Sequence, residues 1–150
     1  MNMMHILKKI IRSISYIFFK TKKMDKDQMK EIWRNAKVCC VLTASGIGDS
    51  IMATPLIEEI RKIKPEARLI IITSNATRQV FNTNPKVDVI YNYNPQSILN
   101  FLIVILKLKF EKIDIFFAAQ PSNTIKHSLI SAFSGAKLKL KLLECNYLLG

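Results

Sequence analysis

The residues with the clearest chemical potential lie in one stretch, "ASGIGDSIMATP", Ala44 to Pro55, directly after the apolar run "VCCVLT". Gly46 and Gly48 permit a tight turn and a close approach of backbone to a ligand. A helix opening behind them presents free N–H groups and the positive end of its dipole, which attract anions. Asp49 sits at that end, where the ionised form is favoured. Three roles are open to it. It can cap the helix, since Asp is a preferred N-cap worth about 1 kcal/mol. It can belong to a loop that holds a phosphorylated ligand. Or, placed in a cleft, its carboxylate can accept a proton from a substrate hydroxyl as a general base. Two nucleotide loops do not fit. No Gly-Lys-Ser/Thr follows, as a Walker A loop requires, and a dinucleotide fingerprint would have its third glycine where Ile51 stands. The second strand also ends in "TSN", without the acid that would take a ribose.

These residues need a scaffold that turns a strand end into a helix start, and the pattern supplies one. Strand-like runs at residues 37–44, 66–74, 86–92 and 112–119 alternate with helical stretches. A helix is expected from about Gly48 to Lys64, with Ile51, Met52, Leu56, Ile57, Ile60 and Ile63 on one broad face. Pro55 lies inside it, so its first turn must be kinked or separate. A short helix is expected over residues 75–85, with Asn75 as its cap. Another follows over residues 95–110, started by Pro95 and Ser97. The last covers residues 122–136 and ends at Gly135, before "KLKLKL", which alternates like an edge strand. Short, nearly all-apolar strands separated by helices predict an α/β fold, a Rossmann-like parallel sheet with helices on both faces. In such sheets ligands bind beyond the carboxyl ends of the strands. Two stretches belong there, "ASGIGDS" after strand one and "AAQPSN" after strand four.

The chain of 150 residues has a net charge of +12, unevenly spread. Residues 1–37 hold ten Lys/Arg against three Asp/Glu, so the basic character is concentrated in the N-terminal part. Such a balance calls for an acidic partner: nucleic acid, an anionic membrane or a phosphorylated substrate. Residues 1–23, "MNMMHILKKIIRSISYIFFKTKK", have helical apolar spacing with Lys/Arg mainly off the stripe. The apolar run is too short to span a bilayer, and no small-residue cleavage site follows. The arm reads as a helix on the surface of an anionic membrane. Residues 23–35, "KMDKDQMKEIWRN", read as a polar helical linker capped by Asp25 or Asp27. The organisation is thus an arm and linker over 1–35 and a Rossmann-like domain over 36–150. Nucleic acid ranks last as a partner, because basic and aromatic residues are not interleaved. Cys39 and Cys40 would face opposite sides of a strand, and with Cys145 they give an odd count. That reads as buried free thiols, without metal spacing or a disulfide framework.

The stretch "VLTASGIGDSIMATPLIEEIRKIKPEARLIIITS" resembles the opening of glycosyltransferase family 9, the ADP-heptose:lipopolysaccharide heptosyltransferases. "NPKVDVIYNYN" is similar to that family's next block, and "KFEKIDIFFAAQPSNTIKHSLISAFSGAK" to the one after it. The resemblance runs from about Val38 to Lys139 and then fades. It implies the N-terminal domain of a two-domain GT-B glycosyltransferase, in which this half holds the sugar acceptor. It further implies inversion at the anomeric carbon without a metal, and Asp49 as catalytic base. Ser45, Gly46 and Gly48 would shape the loop, and Thr54 would line the acceptor side. Gln120, Ser122, Asn123 and Lys126 would complete the substrate site, Lys126 suiting a phosphate or carboxylate.

The same resemblance implies a nucleotide-sugar donor such as ADP-heptose, held by a second domain that this sequence lacks. The 150 residues are therefore expected to be inactive alone, as a fragment or as one half of a split enzyme. The acceptor would be an anionic glycolipid of the lipopolysaccharide core. The location would be cytoplasmic, peripheral on the inner membrane through residues 1–23. The alternative is a non-catalytic Rossmann-like module that binds a phosphorylated ligand or a partner subunit.

Overall fold

The computed structural model describes residues 24–43, 46–94, 96–119 and 124–141. The arm over residues 1–23 and Cys145 lie outside them. Among the described residues, five strands form one parallel sheet: β1 (Val38–Thr43), β2 (Arg68–Ser74), β3 (Val89–Tyr93), β4 (Ile115–Ala119) and β5 (Leu138–Lys141). The spatial order is β3-β2-β1-β4-β5. The Rossmann-like sheet read from the pattern is present, and "KLKLKL" supplies its edge strand.

Both faces are covered, because side chains alternate along each strand and neither set is polar. Cys39, Val41, Leu69, Ile71, Ile115 and Phe117 point to one face. Two helices cover that face, α1 (Lys26–Asn35) and α3 (Thr54–Ile63). Cys40, Leu42, Ile70, Ile72 and Phe116 point to the other, under α4 (Ile98–Phe110) and α5 (Ile125–Phe133). The two adjacent cysteines thus enter separate cores. Burial pushes the Cys39 thiol up to about 11, with the nearby Asp114 charge adding to the rise.

Local chemistry sets the helix limits. Asp25 caps α1, its carboxylate accepting from Lys26 N at 2.8 Å. The helix expected as a linker packs on the sheet through Met29, Ile32 and Trp33, with the Trp33 ring edge-on to Phe117 at 6.2 Å. Ser97 Oγ accepts from Asn100 N at 3.2 Å to start α4. Thr124 Oγ1 accepts from His127 N at 3.3 Å to start α5. Gly135, at φ 73°, supplies the left-handed residue that stops α5.

Two expectations are corrected. The single broad face over residues 48–64 does not form. Pro55 divides the stretch into α2 (Ile47–Met52) and α3, and the break at Ala53 turns the first stripe outward. Leu56, Ile57 and Ile60 are buried, whereas Ile51, Met52 and Ile63 are exposed. The helix expected over 75–85 is a single 3-10 turn, Arg78–Val80, and Asn75 does not cap it. Thr77 takes the cap position, pulled inward by hydroxyl contacts to Thr73 at 2.6 Å and Ser74 at 2.9 Å. Asn75 instead accepts a hydrogen bond from Asn92 Nδ2.

Two aspartates fix the amino-terminal edge of the sheet. Asp114, just before β4, accepts from Lys37 N at 2.9 Å and Val38 N at 3.1 Å, holding the start of β1. Its other oxygen meets Lys137 Nζ at 2.7 Å. Asp88, just before β3, accepts from Leu69 N at 2.6 Å and Arg61 Nη2 at 2.7 Å. Burial works to raise both carboxyls, but these hydrogen bonds and cations outweigh it and hold both below the ordinary value.

Candidate functional site

The strand order reverses between β1 and β4, since the chain moves outward through β2 and β3 and then returns to the other side of β1. Such a reversal opens a crevice beyond the carboxyl ends of the two strands. The ends are in register, with Thr43 opposite Ala119. Both stretches singled out in the sequence therefore leave the sheet side by side. The helices that follow them, α2 and α5, both begin at this edge.

Asp49 lies in the first turn of α2 and is exposed. It is not the N-cap. Gly46 takes that position in extended backbone, at φ −91° and ψ 145°, without a side chain to bond the free N–H groups. Asp49 stands three residues further on and folds back toward Gly46, its Oδ2 3.3 Å from where a β carbon there would stand. An ionised carboxylate in this position complements the positive end of the helix and remains open to solvent. Gly48 is exposed, and a β carbon on it would meet no atom within 4 Å.

Thr54 is half-buried at the start of α3, with Pro55 in the first turn. Lys126 is exposed in the first turn of α5. Asp49 and Lys126 thus stand at the openings of the two helices that flank the crevice. Ser45, Gln120, Ser122 and Asn123 lie outside the described residues.

Two polar groups at this edge were not singled out from the sequence. Thr43 Oγ1 donates to Ile72 O at 3.1 Å, beside the buried hydroxyls of Thr73, Ser74 and Thr77. These tie the end of β2 to the end of β1. The second group joins β3 to α5. The Tyr93 ring stands edge-on to the His127 ring at 5.9 Å, and both residues are buried. Among the described residues, the Tyr93 hydroxyl and His127 Nδ1 have no hydrogen-bond partner. Burial raises the Tyr93 hydroxyl and lowers the His127 imidazole, so both rest neutral. The available signal was spacing: His127 and Ile130 lie three apart, on the inward side of α5.

A pocket lined by Glu31, Ile32, Asn35, Asp114 and Lys137 lies at the opposite edge of the sheet. Its Asp114 and Lys137 are committed to each other and to the start of β1, so the site is placed at the carboxyl edge. Among the described residues, no group of three or more His, Cys, Asp or Glu side chains could hold a metal ion.

No protein-family model matches the chain, and no curated protein does. Solved structures do. The glycosyl transferase family 9 structure from Veillonella parvula DSM 2008 aligns with a TM-score of 0.60 at 22% identity, over 74% of this chain and 34% of that one. The E. coli ADP-heptose lps heptosyltransferase II aligns with a TM-score of 0.58 at 18% identity, over 69% of this chain and 30% of that one. The chain shares its fold with both and spans about a third of their length. The family named by the first is the one that the three sequence blocks resemble.

Proposed function

We propose that this chain is the acceptor-side domain of a heptosyltransferase-like glycosyltransferase, with Asp49 as general base. The observation that carries the reading is the exposed Asp49 carboxylate at the β1/β4 crevice, in a fold shared with two glycosyltransferases. In the reaction, an acceptor hydroxyl attacks the anomeric carbon of a nucleotide-sugar. The bond from that carbon to the nucleoside diphosphate breaks, and the configuration inverts. Asp49 takes the hydroxyl proton. Ser45, Gly46 and Gly48 give the acceptor room to approach, and Thr54 lines its side. Gln120, Ser122, Asn123 and Lys126 hold it from the neighbouring loop and helix.

The donor, an ADP-heptose-like nucleotide-sugar, comes from a second domain across the cleft. The acceptor is an anionic glycolipid of the lipopolysaccharide core. The protein works at the cytoplasmic side of the inner membrane, held by the basic arm over residues 1–23.

The test pairs the chain with a heptosyltransferase donor domain and follows transfer from ADP-heptose to a lipopolysaccharide-core acceptor. Asp49→Asn is expected to lower kcat by about 10²–10⁴ while acceptor affinity is kept. Equal turnover by the variant would remove Asp49 from the chemistry. Failure of the wild-type chain to bind the acceptor would favour the non-catalytic module.

A further inference from the structure

Helix α4 has an apolar outer surface as well as an apolar inner one. Val104, Ile105 and Leu108 are buried against the sheet. On the outward side stand Ile98, Leu99, Leu102, Ile103, Leu106 and Phe110, with Phe110 85% exposed, Ile98 77% and Leu99 70%. At 3.6 residues per turn these six fall on one broad stripe. Lys107, exposed, borders it on one side, and Lys109, also exposed, stands within its other margin, between Ile98 and Leu102. Lys107 keeps its ammonium over the Tyr91 ring, 5.6 Å from the centroid. Contiguous apolar patches of this kind are uncommon on monomeric soluble proteins and mark an interaction surface.

Charge identifies what the stripe meets. The sequence has no acidic residue between 89 and 110, and none between 115 and 143. The nearest carboxylate on this side is Glu111, which ends α4, is mostly buried and is engaged by Arg68 at 3.1 Å and by the Tyr91 hydroxyl, so the exposed charge along the helix is that of its lysines. Asp25, Asp27, Glu31, Glu58 and Glu59 belong to the elements that cover the opposite face, α1 and α3. An apolar stripe bordered by lysines matches a surface that is apolar within and anionic at its rim. A second copy of the chain would bring lysine against lysine, since the Glu111 carboxylate at the end of the helix is already engaged by Arg68 and Tyr91. The helix has 13 residues, short of the roughly 20 needed to span a bilayer, so it would lie in the surface plane.

We propose that the outer face of α4 docks on an anionic lipid bilayer, its apolar stripe entering the acyl boundary and Lys107 and Lys109 meeting the headgroups. The contact is separate from the sugar chemistry and from the arm over residues 1–23, and vesicles without any acceptor test it.

The experiment uses the full chain carrying Phe110→Trp and, separately, Leu102→Trp. Each is mixed with phosphatidylglycerol vesicles whose acyl chains carry bromine. The native Trp33, on the opposite face against Phe117, gives the baseline. The expected result is strong quenching of both introduced indoles and none of Trp33. Lys107→Gln with Lys109→Gln should weaken vesicle binding on the order of thirtyfold. Unquenched indoles on a vesicle-bound chain would overturn the proposal, leaving the arm as the attachment. So would a failure to bind vesicles, or a concentration-dependent dimer that shields the indoles in their absence.

Discussion

The Asp49 carboxylate lies back toward Gly46, with Oδ2 3.3 Å from where a β carbon on Gly46 would stand. The glycine is therefore needed for space and not for its backbone angle, since φ −91° suits any residue. Gly46→Ala should leave the fold intact, within about 0.5 kcal/mol in urea unfolding. It should displace the carboxylate by a few tenths of an ångström. In the paired-domain transfer assay, kcat should fall roughly tenfold with KM unchanged, because small misplacements of a reacting group are costly. Unaltered kcat would mean that the position of Asp49 does not matter to turnover.

Asp88 and Asp114 lie in sequence blocks similar to those of a glycosyltransferase family, yet both act at the edge away from the crevice. Asp114→Ala removes the acceptor for Lys37 N and Val38 N, and should cost about 2–4 kcal/mol in chemical unfolding. Loss of sugar transfer without loss of stability would place Asp114 in the site instead.

The same two carboxylates predict the acid limb of the stability curve. Their folded values are depressed below the ordinary 3.8, so the unfolded chain takes up protons first as pH falls. Their stabilisation is complete above that value and is lost as pH drops through the folded values. Asp114→Asn should flatten the acid limb measured by circular dichroism. An unchanged limb would show that Asp114 does not carry it.

Much of this architecture was legible because burial on both faces leaves little choice of residue. The runs "VCCVLT", "RLIIITS" and "IFFAA" could only be central strands, and Pro55 announced the break between α2 and α3. The cap at Asn75 was misread because a local rule favours Asn there, while tertiary hydroxyl contacts drew Thr77 inward. The position of Asp49 three residues past the cap was also hidden, since Asp outranks Gly as a cap residue. The pairing of Tyr93 with His127 was beyond sequence reading, because the two meet only once α5 packs across from β3. The outward stripe of α4 was concealed differently. Apolar residues on every side of a helix give no contrast from which to read a face.

Cys39 and Cys40 should be chemically silent in the folded chain. Burial pushes Cys39 up to about 11 and Cys40 well above its ordinary value, so little thiolate is present at mildly alkaline pH. Peptide-resolved mass spectrometry after iodoacetamide should find both unmodified in the native chain and both alkylated in denaturant. Native alkylation of Cys39 would contradict its burial on the sheet face covered by α1 and α3.

His127 gives the chain a second pH dependence, nearer neutrality. Burial lowers its imidazole below 6.5, and among the described residues Nδ1 has no partner that would favour a proton. Above 6.5 both folded and unfolded chains hold the neutral ring, so the contribution to stability is complete there. Below it the unfolded chain binds a proton that the folded chain resists, and stability falls until the folded value is passed. NMR should record a His127 titration below 6.5. His127→Phe should abolish the corresponding slope in unfolding free energy. It should also be neutral or stabilising near pH 6.5, because it removes a buried polar atom without a partner and keeps a ring against Tyr93. A slope that persists in His127→Phe would assign it to another group, and a His127 that titrates at or above 6.5 would mean that a proton is welcome on the ring. The ring would then be available as a hydrogen-bond donor at the crevice edge.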